Sequence, residues 1–343
     1  MNVNRDSSHG DLMGRHVRLG EREIIEIIQG KLDLMPKMPI PFGDDVSAVD
    51  IGHDELGILK TDMLVAKTDM PPGMSLWQAA RKAVVMNISD LAAKGVKPIA
   101  LLVSLGLPDG LSRKDIESVG GGLNVGAREY GAYIIGGDTG EATDLTISVS
   151  LFGVARKGKV MLRSGAKLGD IVAVTGVFGK TSAGLKILLQ NLKAPATMRK
   201  ALVSSVLMPE ARLKEGLALV ETGAVTASID SSDGLAWCLY EIRRASSVGF
   251  VIDKVPMAAE AERFAESNAL DPFELAFYGG EEYELVLTVK PDLWGKARDA
   301  VGRVDGRLMA VGKVTADRKV LLKTDHGERM IEQCGYEHFV HNI

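Results

Sequence analysis

Apolar positions along the chain switch repeatedly between two rhythms. Short continuous or alternating runs suit strands, and three-to-four-residue spacings suit helices. Glu21–Gln29 carries paired isoleucines at helical spacing and reads as a short amphipathic helix. Gly43-Asp44-Asp45 opens an apolar strand, and Gly57–Val65 reads as a second strand with Asp62 inside it. Ser75 is an N-cap for a long helix to about Lys94, and Ser112 caps another to about Tyr130. The glycines at 120–122 would weaken that second helix unless another element packs close to them. From Tyr133, apolar residues run into Gly136-Gly137, which predicts a buried strand ending in a tight loop that presents Asp138. Ile99–Leu107 and Leu145–Val154 are further strands.

After the charged, glycine-containing stretch Ala155–Lys159 the alternation resumes. Strands are expected at Asp170–Gly176, Val225–Ile229, Gly249–Val255, Glu284–Val289, Leu308–Val314 and Lys319–Lys323. Helices are expected from Thr181 to Leu189, over Pro209–Thr222 and Leu235–Ser246, and from Pro291. Alternating strands and helices predict an α/β or α+β architecture. A chain of 343 residues exceeds what one core usually holds. The expected division is a flexible extension over 1–19, a first domain over 20–155 and a second over 156–343.

Six aspartates interrupt or end apolar elements: Asp45, Asp62, Asp90, Asp138, Asp230 and Asp233. Each alone has a bland explanation as a turn or cap residue. Together, with few cationic residues beside them in sequence, they call for cations, because a buried charge without a partner costs several kcal/mol. Carboxylates at loop edges suit Mg²⁺, which takes one or two carboxylates together with substrate phosphates. Asn87 and Asp90, three apart, share one face of the long helix in its most apolar part.

The usual nucleotide loops are missing. Val177–Ser182 contains Gly-Lys-Thr, but its upstream glycine, Gly176, is too near for a phosphate-binding loop, so it reads as a strand-to-helix turn. No Cys-x-x-Cys or His-Glu-x-x-His pattern points to zinc. Net charge is −4, from 41 basic and 45 acidic residues, with no basic cluster for nucleic acid. No apolar run is long enough to span a bilayer, and the polar first residues do not read as a signal peptide. Two cysteines, Cys238 and Cys334, make no disulfide framework, so a cytoplasmic setting is expected, with Cys238 a core residue.

Eight blocks in order complete the picture: G-D-D-V-S-A-V (43–49), T-D-M-L-V (61–65), N-I-S-D-L-A-A-K-G (87–95), G-G-D-T (136–139), R-S-G-A-K-L-G-D (163–170), I-D-S-S-D-G-L (229–235), G-G-E-E-Y-E-L (279–285) and G-Y-E-H-F (335–339). In these the chain resembles the thiamine-monophosphate kinase family, within the superfamily of aminoimidazole ribonucleotide synthetase. The resemblance implies a two-domain fold in which an N-terminal sheet domain dimerises and a C-terminal α/β domain lies beside it. It implies ATP as co-substrate, several Mg²⁺ ions, and phosphorylation of thiamine monophosphate to thiamine diphosphate by a homodimer without nucleic-acid or membrane partners.

By position it implies metal ligands at Asp45, Thr61, Asp62, Asp90, Asp138, Asp230 and Asp233. Of these, Asp45, Asp90, Asp138 and Asp233 would serve the transfer directly. It implies nucleotide contacts at Gly137, Asp138, Arg163 and Ser232, and acceptor contacts at Asp69, Glu281 and Tyr336. Lys60, Asp69, Ser231 and Glu282 depart from the family pattern. The alternatives are a synthetase-like ligase or cyclase of the same superfamily, and a non-catalytic nucleotide or thiamine-phosphate sensor.

Overall fold

The computed structural model describes residues 19–325 and 327–339. The expected flexible extension, apart from Leu19, lies outside them. Residues 19–35 and 337–339 belong to a small separate unit, which contains α1 (Glu21–Gln29). Residues 36–336 form one compact unit built around two sheets.

The first sheet is formed by β1 (Ser47–Gly52), β2 (Glu55–Val65), β3 (Pro98–Leu107), β4 (Tyr133–Glu141) and β5 (Thr146–Arg156), in the order β1-β2-β5-β3-β4. Its pairs are antiparallel except β3 with β4. Three helices connect it: the short α2 (Ala66–Asp69), α3 (Leu76–Lys94) and α4 (Arg113–Glu129). Both long helices begin with the expected serine. Ser75 and Gln78 form a reciprocal capping box, as do Ser112 and Asp115.

In the second part, β6 (Ile171–Val174) is followed by α5 (Lys180–Gln190), α6 (Ala196–Leu207), α7 (Leu213–Val220), β7 (Val225–Asp230), α8 (Leu235–Ser246) and β8 (Gly249–Ile252). Next come α9 (Ala259–Ser267), α10 (Pro272–Phe277), β9 (Leu285–Val289) and α11 (Trp294–Gly302), the last entered through a 3-10 turn at Pro291–Leu293. β10 (Met309–Thr315), β11 (Val320–Thr324) and β12 (Gly327–Met330) close a sheet of order β12-β11-β8-β10-β6-β9-β7.

The element that joins the two halves is α3. From Ala79 to Lys94 every residue but Met86 is buried. It packs on β2 and β5 of the first sheet, on α4, and on α7, β7 and β9 of the second half. A helix apolar on most of its circumference must be covered on all sides. The glycines in α4 find the close neighbour they need: a Cβ at Gly122 would stand 2.1 Å from the Trp77 carbonyl oxygen. Only glycine lets α4 and α3 approach so closely.

Three sequence expectations change. The Gly136-Gly137 stretch is not a loop, and its strand is not buried. β4 continues through both glycines to Glu141 as an exposed edge strand, because β3 supplies parallel backbone partners as far as Leu107. The helix expected over Pro209–Thr222 starts only at Leu213, after an irregular stretch at 209–212. Helices α6, α9 and α10 have no counterpart in the sequence reading. The two buried residues of α6, Leu202 and Val206, make too narrow a stripe to stand out.

Candidate active site

Three of the six aspartates converge. Asp45, just before β1, Asp90 on α3 and Asp230 at the end of β7 each offer a carboxylate oxygen, and these lie within 4.8 Å of one another. All three residues are buried. Asp45 and Asp90 come from the first half and Asp230 from the second, so the group exists only because α3 sits between the two sheets. Ser89 donates its hydroxyl to Asp230 at 2.7 Å.

The expected lack of cationic partners is not what the structure shows. Lys94, fully buried, lies 2.7 Å from Asp44 and 2.7 Å from Asp45, and donates to the Ser228 carbonyl at 2.8 Å. Lys60 lies 3.0 Å from Asp90. Arg163 donates through Nε to Asp45 at 2.6 Å and through Nη1 to the Gly43 carbonyl at 3.1 Å. It also pairs with Glu241. Sequence order hid these cations because the aspartates they hold, Asp44 and Asp45 for Lys94, Asp90 for Lys60 and Asp45 for Arg163, stand 30 or more residues away. The one local signal is Lys94 itself, four residues after Asp90 on the same face of α3, although its partners there are Asp44 and Asp45.

The electrostatics divide the trio. Burial would raise the Asp45 pKa, but Arg163 and then Lys94 outweigh it and hold the carboxyl below its usual range. Asp90 is pushed well above that range, first by burial, and Asp230, Asp45 and Asp62 add to this against the opposing Lys60. Asp230 is pushed up to about 6, by burial and then by Asp45. Burial, and after it the neighbouring carboxylates, disfavour the charged forms of Asp90 and Asp230, and a cation between them would offset both. Burial opposes the Lys60 ammonium, yet Asp90 and then Asp62 raise its pKa. A hard divalent cation fits a donor set of this kind, three converging carboxylates in need of charge.

The other predicted residues are not members of the trio, although Arg163 bonds Asp45. Asp62 faces the same side of β2 as Lys60, 3.9 Å from its ammonium. Thr61, one residue earlier, turns to the opposite side, where its hydroxyl bonds the Val149 carbonyl and the Ser150 hydroxyl. Asp138 is exposed on the edge strand, and its register partner Ser104 is exposed as well. Gly137 has a structural reason of its own, since a Cβ there would stand 1.9 Å from the Val103 carbonyl oxygen. Ser232 and Asp233 sit in the loop between β7 and α8.

Of the acceptor residues, Asp69 and Glu281 meet through Lys82, while Tyr336 lines a different cavity. Asp69 spends its carboxylate on the Val65 N–H at 2.7 Å. Its carbonyl accepts from Lys82 at 3.1 Å, and Lys82 also pairs with Glu281. Glu281 lines a cavity of about 360 Å³ together with Lys180, Arg212, Glu282, Glu284 and Arg307. Tyr336 is half exposed, anchored by its N–H to the Asp233 carbonyl at 3.0 Å, and lines a second cavity of about 270 Å³ with Lys186, Tyr278 and Gly280. Cys238 is buried, and burial pushes its thiol pKa well up, consistent with a core role.

The Gly-Lys-Thr stretch opens α5, and its N–H groups are already taken by a side chain of the same fold. The Glu282 carboxylate accepts from Gly179 N at 2.6 Å and from Thr181 N at 3.1 Å. Burial pushes its pKa up to about 7, against those hydrogen bonds. The folded protein therefore keeps a proton that the unfolded chain releases near 4.5, so stability falls as pH rises from about 4.5 to 7. The loss is at most ~3 kcal/mol, from 1.36 kcal/mol per pKa unit. Glu282→Gln keeps an acceptor for both N–H groups and should flatten this part of the stability curve in urea unfolding. An unchanged slope would remove Glu282 as its source.

Comparison with known proteins agrees with this layout. Residues 43–155 match the AIR synthase related protein N-terminal domain, and 167–324 its C-terminal domain. The thiamine-monophosphate kinase of Nitrosopumilus maritimus is 36% identical over 322 residues, covering 94% of this chain and 99% of its own. That of Escherichia coli is 35% identical over 302 residues, covering 87% and 91%. The solved structure of AaThiL complexed with AMPPCP and TMP superimposes with a TM-score of 0.83 at 28% identity, covering 96% of this chain and all of that one. With two matched domains, these relatives and a shared fold, the chain belongs to the thiamine-monophosphate kinase family.

Proposed function

We propose that this protein transfers the γ-phosphate of ATP to the phosphate of thiamine monophosphate, giving thiamine diphosphate in thiamine diphosphate biosynthesis. The observation that carries the reading at the level of chemistry is the convergence of Asp45, Asp90 and Asp230 from both halves of the fold. The acceptor oxygen belongs to a phosphate that is already anionic near neutral pH, so no strong general base is needed. The work that remains is neutralising several anions and aligning donor and acceptor.

Asp45, Asp90 and Asp230 would hold Mg²⁺, with Asp62, Asp138 and Asp233 as further ligand positions and Thr61 as one that would act through its backbone, since its hydroxyl turns to the opposite side of β2. Bound there, Mg²⁺ would supply the charge that offsets the phosphate oxygens. Lys94 and Arg163 keep Asp45 ionised. Ser89 orients Asp230, and Lys60 holds Asp90. Gly137, Asp138, Arg163 and Ser232 are assigned to the nucleotide, and Asp69, Glu281 and Tyr336 to the acceptor. Direct transfer belongs to the same reading, because the anionic acceptor phosphate can attack the γ-phosphate itself and no enzyme nucleophile is required.

The division into 20–155 and 156–343 belongs to this reading, as do a cytoplasmic setting and a homodimer. Leu59, Met63 and Leu102 support the dimer, since they leave one side of the first sheet apolar and exposed. No described helix is long and apolar enough to cross a membrane. Incubating the protein with thiamine monophosphate, ATP and Mg²⁺ should yield thiamine diphosphate and ADP in equal amounts. ATP hydrolysis without thiamine diphosphate would overturn the assignment.

A further inference from the structure

Lys82 is almost completely buried, 1% exposed, on the first half of α3. An ammonium at that depth costs several kcal/mol unless it is paired. Its partners come from two places that sequence alone does not connect. One is the Asp69 carbonyl at the end of α2, at 3.1 Å, and the other is the Glu281 carboxylate, 199 residues further on.

Glu281 sits in a loop fixed from every other side. Its own N–H donates to the Ser232 carbonyl at 2.6 Å, and the Tyr283 N–H donates to the Ser231 carbonyl at 2.9 Å. Glu282 is tied to the start of α5. Both Glu281 and Tyr283 hold a positive φ, 63° and 52°, a backbone shape that side chains other than glycine rarely adopt. The backbone is therefore set by the second half of the fold. The direction of the Glu281 side chain is set by the first half, through Lys82. With 27% of that side chain exposed, Glu281 still lines the cavity where a ligand would meet it.

We infer that Lys82 is a positioning residue that aims the Glu281 carboxylate at the thiamine moiety of the acceptor and so couples acceptor binding to the junction of the two halves. The inference rests on the acceptor assigned above. Lys82 lies outside the acidic trio, so its loss leaves the phosphate end of the site intact and affects one substrate only.

The test is calorimetric binding of thiamine monophosphate, and separately of a non-hydrolysable ATP analogue with Mg²⁺. The proteins are wild type, Lys82→Met, Lys82→Arg, Glu281→Gln and the Lys82→Met/Glu281→Gln double variant. Lys82→Met and Glu281→Gln should each weaken acceptor binding about tenfold, roughly 1.4 kcal/mol. The double variant should be no weaker than Glu281→Gln, Lys82→Arg should recover most of the loss, and nucleotide binding should stay within twofold throughout. Additive losses, an equal loss of nucleotide binding, or unchanged acceptor binding in Lys82→Met would overturn the inference. A wild-type protein that binds nucleotide but no thiamine monophosphate would overturn the acceptor assignment and this inference with it. That outcome is distinct from a wild type that binds both ligands and variants that do the same.

Discussion

Asparagine at position 90 is expected to lower turnover by on the order of 10³-fold, ~4 kcal/mol of transition-state stabilisation. Asp90 is the central member of the trio in both sequence and charge. It reaches the cluster from α3, the most buried helix of the fold, and its neighbours include Asp45, Asp62 and Asp230 as well as Lys60. An amide is close to the carboxylate in shape, so packing around α3 should survive. What is lost is the negative charge that attracts a cation and that the Lys60 ammonium faces at 3.0 Å. The same substitution should weaken Mg²⁺-dependent protection against thermal unfolding, a readout that does not depend on turnover. An Asp90→Asn protein with wild-type turnover at moderate Mg²⁺ would place the metal elsewhere.

Lys94→Met should destabilise the metal-free protein by about 3–5 kcal/mol, the range expected when one partner of a buried ion pair is removed. Its ammonium sits between Asp44 and Asp45, and both carboxylates are largely or wholly buried. Methionine replaces the stem of the lysine but not its charge or its hydrogen bond to Ser228. Arg163 would remain on Asp45, while Asp44 would keep only hydrogen bonds from backbone N–H groups, including that of Arg163 at 2.9 Å. Mg²⁺ should then restore part of the loss, because a ligand that binds only the folded state stabilises it by mass action. Urea unfolding with and without Mg²⁺ measures both effects. A loss below about 1 kcal/mol would show that the trio tolerates its own charge without Lys94.

Much of the fold could be read locally. Ser75 and Ser112 mark the starts of α3 and α4, and both caps form with the residue three positions on. The glycines at 120–122 signal a close neighbour, and Trp77 is that neighbour for Gly121 and Gly122, while Gly120 faces open space. These features depend on residues a few positions apart, so the chain carries them whatever surrounds it. The Tyr133–Glu141 strand was misread for the opposite reason. Gly136-Gly137 looks like a turn by local preference, but β3 provides hydrogen-bond partners along its whole length. Tertiary pairing of that kind routinely overrides local preference.

The candidate site shows the same division. Six aspartates at the edges of apolar elements, and their ordered motifs, identify the family and the type of chemistry without any coordinates. Which aspartates meet, which cations hold them and which residue aims Glu281 depend on contacts between positions about 30 to 200 residues apart. Asp45, Asp90 and Asp230 meet because α3 is packed between two sheets, and Asp138 stays on an exposed edge because β4 has a partner on one side only. By itself the sequence determined the helix caps, the alternation of strands and helices, and the supply of acidic ligands, since each is a property of neighbouring residues. Only the tertiary structure decided the charge balance of the trio and the Lys82–Glu281 tie, since electrostatic energy depends on distance and burial, and both arise when the chain closes on itself.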